Sequence, residues 1–453
     1  MMVLCACPVD DMGVSSQGSE TGECTPGTSG CPCDDDRCGD GLVCASSICT
    51  PTDDTDTDVV TSTIAPTSDS STSEDTSSTT DGEDTTVGCD CPAEMPICDE
   101  STGRCSGCNS HAQCPKSACD LWDSVCFDVD ATLWVKPGDS CDDAGTATET
   151  EPLCSLGRAF DILSVTPGVP RAIRAWPHSR IHETKVPLVV PEKTRVALVH
   201  ASLVDSAKPV VSGGPTTILQ LENGADLIVD RVSLQDAKYA GIDCRAGRLW
   251  ADRTTVSKTA GHGVLADRCT VILRRSLLVG NTLSGMLLNE GEGSVENSFI
   301  SFNGTNPAAF GGIHLMRGAR LTLSYSTMVD NHAGSNLESS VSCDKTDGDK
   351  ENVSVSDSAI LGGGTQSVCP GATVVTSAWS TVAPGDGNVA LALDDLALVL
   401  SADPLSWGVF RGRLGFALDG LAKREVGDPA VDFFGQTRVV VGEHDMAGAA
   451  LPK

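Results

Sequence analysis

Aromatic rings are scarce in this chain: Phe, Trp and Tyr make up 4% of 453 residues, with only 2 tyrosines. A large core cannot rest on a few bulky anchors at that density and must be assembled from Val, Leu, Ile and Ala. Positive charge is scarce as well. Lys and Arg number 31 against 62 Asp and Glu, a formal net charge of −31, so nucleic acid and anionic membrane surfaces are repelled and drop out as partners. No apolar run approaches the roughly 18 residues of a membrane-crossing helix. GxSxG, HExxH and a phosphate-cradling glycine loop are all absent from the sequence, and no cofactor is implied.

Cysteine, in contrast, is abundant and uneven. Of 22, sixteen precede Asp128 and six follow it. Such density in loop-rich stretches reads as disulfide scaffolding, which persists outside a reducing cytosol and implies export. Residues 24–50 hold Cys24, Cys31, Cys33, Cys38, Cys44 and Cys49 in a stretch too short for an apolar core. Residues 51–88 are Thr, Ser and Asp almost throughout, a linker that cannot offset the entropy of ordering and spans about 35 Å. Residues 89–127 carry eight more cysteines. Among them Cys105-Ser106-Gly107-Cys108 is a CxxC, but no second CxxC or histidine pair stands where a zinc site needs one, so disulfides are expected here too. At the start, residues 1–23 read as a lipoprotein-like disordered segment. Leu4-Cys5-Ala6-Cys7 resembles the end of a bacterial lipobox, which implies lipidation of Cys7 after cleavage. The basic and apolar parts of such a signal are not among Met1–Leu4, and a start upstream of Met1 would supply them.

Beyond the cysteine-rich stretches a pattern returns about every 22 residues. Ile228, Leu249, Val271 and Ser294 open four stretches in which Val229, Ala251, Leu273 and Val295 form one apolar column. Leu234, Val256, Leu278 and Ile300 form a second; Ile242, Val264 and Met286, each after a glycine, form a third. A further copy follows an insertion, with Gly312-Ile313, Leu323 and Met328 in the same roles. Short alternating strands at this period mark a stacked coil that cannot bury its apolar side alone. A leucine-rich repeat would need an LxxLxLxxN frame that these stretches lack. The expected fold is therefore an all-β, right-handed parallel β-helix over residues 130–452. The helical spacing of Leu156, Phe160 and Leu163 in Ser155–Leu163 suits a helix capping the open end of the stack. The first strands are expected at Arg171–Ala175 and Val186–Val190.

Both ends of this region carry specific motifs. Trp134-Val135, Gly138-Asp139, Gly145, Pro152, Ser155-Leu156 and Ala159 lie at the entry, with Gly427-Asp428-Pro429-Ala430, Asp432, Gly435, Arg438 and Asp445-Met446-Ala447-Gly448-Ala449 at the exit. Together they resemble the ends of bacterial secreted β-helix proteins of the pectin-lyase-like superfamily. The resemblance implies that fold, a Cys141–Cys154 bracket around the entry loop, and, in the enzymes of the superfamily, action on polysaccharides. Cys343 and Cys369 lie about one coil apart, so a bridge between successive turns is geometrically sensible. The pairing of Cys244 and Cys269 stays open.

Catalysis in such a fold needs carboxylates, or an Arg or Lys base, gathered on one face of adjacent coils. Asp230, Asp252, Arg274 and Glu296 are spaced by 22 and should stack. The catalytic candidates are thus Asp252, Arg274 and Glu296, set against a plainer reading in which Arg274 neutralises a ladder of like charges. Asp344, Asp347 and Asp349 are the metal candidates, weighed against a solvated acidic turn, since their spacing misses the EF-hand frame. Asn281, Asn303 and Asn331 recur at one corner and suit an amide ladder. The balance favours a non-enzymatic protein at the cell surface or outer membrane, joined to the membrane only through its lipid. Its expected partner is an extracellular polysaccharide or a surface protein, with a polysaccharide lyase or glycosidase as the alternative.

Overall fold

A computed structural model describes residues 42–45, 48–51 and most of 91–451. Within that span, 92–94, 96, 100–103, 139, 178–181, 203–206, 214–215, 307–310, 333–339, 345–351, 362–368, 370–371, 380–385, 391–395, 399–409, 413–417, 440–441 and 450 lie outside the description. Cys7 and the linker beyond Pro51 also lie outside it. Two units are distinguished, Met1–Glu83 and Asp84–Lys453. In the first, strands Leu42–Ala45 and Ile48–Pro51 pair antiparallel.

The second unit is a parallel β-helix. Each coil contributes three strands, for example Arg248–Asp252, Thr255–Ser257 and His262–Asp267, and each joins a separate parallel sheet. Sheet A runs through ten strands from Thr132–Val135 to Thr373–Val375, and sheet B through ten from His182–Glu183 to Val389–Ala390. Sheet C has seven, from Leu188–Val190 to Val341–Cys343. The columns read from the sequence are in register: Val229 pairs Ala251, then Leu273, then Val295, while Leu234 pairs Val256, then Leu278, then Ile300. All are buried in one continuous core. The first sheet C strand begins at Leu188, two residues after the expected Val186, which is exposed.

Corners are sharp because one residue at each adopts left-handed backbone. Between sheets A and B these are Arg231, Arg253, Arg275, Asn297, Tyr325, Asp357 and Thr376, with φ from 45° to 54°. Each conformation is held by a bond to the next coil; the Arg253 amide, for instance, donates to the Arg274 carbonyl at 3.0 Å. Buried polar ladders flank the bends. Thr254, Ser276, Ser298 and Ser326 each donate an amide hydrogen to the hydroxyl one coil on, at 3.1–3.3 Å. Between sheets B and C, the Asn303 carboxamide oxygen accepts from the amide and side chain of Asn281, and its nitrogen donates to Asn331 and to the Leu278 carbonyl. Gly263 must be glycine beside this ladder, since a Cβ there would lie 2.8 Å from Asn281 Nδ2 and 2.5 Å from the Gly285 oxygen. Asn303→Ala leaves the buried Asn281 main-chain amide without its acceptor and is expected to lower unfolding free energy by about 1–3 kcal/mol in urea denaturation.

The first coil and the outer side of sheet B are both covered. Helix Leu156–Val165, capped by the Ser155 hydroxyl on the Arg158 amide, buries Leu156, Ala159, Phe160 and Leu163 over the first coils. The segment 418–451 covers the apolar outer side of sheet B, placing Leu418, Met446 and Ala447 against Leu277, Phe299 and Leu361. The exit motif forms its lock. The Asp432 carboxylate accepts from the amides of Phe434, Gln436 and Leu451, and the fully buried Arg438 side chain pairs with Asp445 at 3.0 Å.

Candidate functional site

The outer side of sheet A divides in two along its length. Three outward columns run along it, and the middle one reads Ala172, Ala197, Ile228, Trp250, Ile272, Ser294, Thr322 and Ser354. Its composition changes from apolar to hydroxyl-bearing partway. The apolar part is roofed by the second cysteine-rich module, where Ala118, Leu121, Trp122 and Phe127 pack on Ala172, Ala197, Ile228 and Trp250.

This module is held by bridges Cys91–Cys105, Cys108–Cys119 and Cys114–Cys126, and Cys98 is also disulfide-bonded. Cys105 and Cys108 of the CxxC thus go to different partners. Cys108, Cys114 and Cys119 cluster as metal ligands would, but their thiolates are consumed in bridges. Docking is polar at its edges. Buried Arg174 donates to the carbonyls of Ser117 and Cys114 at 2.6 and 3.0 Å, and Arg195 bonds Asp120 and Asp123. Trp122 meets Trp250 edge-on at 5.3 Å, with Arg248 4.6 Å above the Trp122 ring.

Where the module stops, the sheet opens into a groove of about 460 Å³. Its floor is Ile272, Ser294, Thr322 and Ser354, and its rim is Thr270, Glu292, Arg320 and Asn352. Four coils contribute, so it runs along the stack for about 14 Å at the usual strand spacing. Glu292 and Arg320 face each other across adjacent coils at 3.2 Å. A smaller concavity of about 240 Å³ lies over sheet C, flanked by Tyr239, Leu265 and Leu287.

Asp230, Asp252, Arg274 and Glu296 stack on successive coils in the third outward column of sheet A. The pairing within that column differs from a simple alternation. Each aspartate is held by the corner arginine of the next coil: Arg253 grips Asp230 through two bonds at 2.9 and 2.8 Å, and Arg275 grips Asp252 likewise. Arg274 puts two bonds on one oxygen of Glu296, at 3.0 and 2.9 Å. Burial pushes the Asp230 carboxyl up to about 6, Arg253 offsetting part of the rise and Asp252 adding to it. Asp252 is buried and doubly engaged, an environment that suits cohesion between coils better than proton transfer. Of the metal candidates, Asp344 is half-buried at the end of sheet C, while Asp347 and Asp349 fall outside the described residues.

Cys141 is bridged to Cys154 and Cys343 to Cys369. Cys244 and Cys269 are also joined, although both belong to the apolar core. Their separation of 25 is one coil plus a corner, which brings an inward strand position against the bend of the following turn. Two histidines on sheet C bond serines of the next coil, His262 to Ser284 at 2.7 Å and His314 to Ser342 at 2.8 Å. Burial holds both imidazoles down to about 4.

No family model matches the chain, and no curated protein matches it. Among solved structures, the crystal structure of pectate lyase Pel9A is similar at 13% identity and a TM-score of 0.36, over 71% of this chain and 96% of that one. The likeness is one of fold alone.

The groove residues were not singled out from the sequence, and one signal points to them. The middle outward column switches from Ala, Ile and Trp to Ser and Thr between Ile272 and Ser294. The docked module covers this column as far as Trp250, one coil short of that switch.

Proposed function

We propose that this is an exported, lipid-anchored surface protein whose β-helix binds polysaccharide in the sheet A groove without cleaving it. The observation that carries this reading is the open strip of Ser294, Thr322, Ser354 and Asn352 beside the docked module. Regularly spaced hydroxyl and amide groups along a stack match the repeating hydroxyls of an extended sugar chain, and solenoid faces suit extended polymers. What supports a binding role over a catalytic one is the engagement of Asp252 and Glu296 with arginines. The disulfide framework supports export, and the Leu4–Cys7 pattern supports the anchor at Cys7.

Native gels cast with a panel of polysaccharides test the reading. Retardation of the full chain with no unsaturated or reducing-end products is expected. Products that disappear in Asp252→Asn and Glu296→Gln would make the protein a lyase or glycosidase, and migration unaffected by every polysaccharide would remove the binding role. For the anchor, mass spectrometry of the mature protein is expected to find a lipidated Cys7 at its amino terminus; an unmodified terminus at another residue refutes it.

A further inference from the structure

We infer that the polysaccharide taken by the sheet A groove is uncharged, a neutral glycan rather than a uronate or sulfated polymer; this rests on the binding role proposed above. The inference comes from how charge is arranged around the groove. Its lining holds one cation and one anion, Arg320 and Glu292, and these pair with each other at 3.2 Å. The next arginine along the same face, Arg274, is spent on Glu296 at 2.9 Å. On the module side, Arg248 is bound to Asp226 and lies over Trp122. Among the described residues around the groove, no positive charge is left in excess to meet a row of carboxylates. A polymer bearing one anion per sugar would therefore leave its counterions and hydration shell without compensation in the groove. It would also approach a chain of net charge −31, against a repulsion that grows as salt is lowered. The remaining lining side chains, Thr270, Ile272, Ser294, Thr322, Asn352 and Ser354, are uncharged. Hydroxyls and a carboxamide both donate and accept, as sugar hydroxyls do. That complementarity needs no charge on the ligand.

The ion pair at the rim makes the inference testable by a gain of binding. Glu292→Gln removes the carboxylate and releases Arg320, both of which stand in solvent at 62% and 68% exposure, so the fold is undisturbed. Affinity electrophoresis of the full chain uses glucan, xylan and mannan as neutral probes, and polygalacturonate and alginate as acidic ones. The wild-type chain is expected to be retarded by a neutral probe, with an affinity that barely changes with salt. Glu292→Gln is expected to strengthen binding to an acidic probe by about fivefold at low salt. Thr322→Trp, on an exposed strand position, fills the groove and is expected to abolish retardation by the neutral probe. Wild-type binding that is strongest for an acidic probe and falls with salt overturns the neutral-glycan inference while leaving the binding role standing. Neutral binding that survives Thr322→Trp overturns the assignment to this groove. Retardation by no probe of either class overturns the binding role, and the inference with it.

Discussion

Lowering the pH from 6.5 to about 4 is expected to destabilise the β-helix, on the order of 1–3 kcal/mol per pH unit once the raised carboxyls of Asp230 and Asp357 are set against the histidines. The steepness comes from three histidines held neutral by burial. His262 and His314 on sheet C are depressed to about 4, and His111 in the cysteine-rich module to about 3, where burial is reinforced by Arg253. A folded value below the unfolded 6.5 means that the stabilisation is present above pH 6.5 and is lost as pH falls through the folded values. Between those limits the unfolded chain binds one more proton per histidine, about 1.4 kcal/mol per pH unit each. Asp230 works in the opposite direction. Its folded value of about 6 lies above the unfolded 3.8, so its contribution is full below 3.8 and is lost as pH rises through 6, cancelling about one histidine. Urea denaturation in half-unit steps of pH measures the slope. His262→Gln with His314→Gln, which can still bond the partner serines but cannot titrate, should remove most of it. A wild-type chain whose stability is flat over this window contradicts the burial of these imidazoles.

Replacing Arg438 by methionine is expected to cost about 3–5 kcal/mol, the range for removing one member of a buried ion pair. The Arg438 guanidinium is closed off from solvent and donates to Asp445, Asn297 and the carbonyls of Met446 and Gly448, 4.4 Å from the Tyr325 ring. Methionine preserves the apolar volume but leaves the Asp445 carboxylate buried without its cation. Because the arginine ties the 418–451 segment to the Asn297 corner, the damage should be local before it is global. Hydrogen exchange is expected to show lost protection across Arg424–Gly448 and at the adjoining sheet B strands, with the first coils near Arg171 unaffected. A loss below about 1 kcal/mol, or one spread evenly over all coils, would contradict the lock.

The coils are legible in the sequence because one physical requirement repeats at each turn. An inward position needs an aliphatic group and the buried positions beside the bends need a hydroxyl or an amide, so Leu234, Val256, Leu278 and Ile300 declare themselves by spacing alone. The charged column is legible for the same reason, but its partners are not. Spacing places Arg274 between Asp252 and Glu296, whereas the choice between vertical and diagonal pairing depends on where the corner aims Arg253 and Arg275. Left-handed backbone at those arginines, with φ of 48° and 45°, directs them back onto the preceding coil. The groove is less legible still. Its residues are ordinary Ser, Thr and Asn of an outward strand face, and what makes them a site is the roof that covers their apolar neighbours and stops short. That boundary depends on Trp122 meeting Trp250, a contact between segments more than a hundred residues apart. The pairing of Cys244 with Cys269 hides for a related reason, since the repeat of 22 places neither residue over the other.

A crystal structure of the full chain grown with a neutral hexasaccharide tests whether a sugar chain lies along the stacked Ser294, Thr322 and Ser354 of sheet A. Sugar density is expected along the groove, with hydroxyls bonded to Thr322 and Asn352 and the Glu292–Arg320 pair intact beside it. Sugar seated over sheet C near Tyr239, with the sheet A groove holding only solvent, would contradict it.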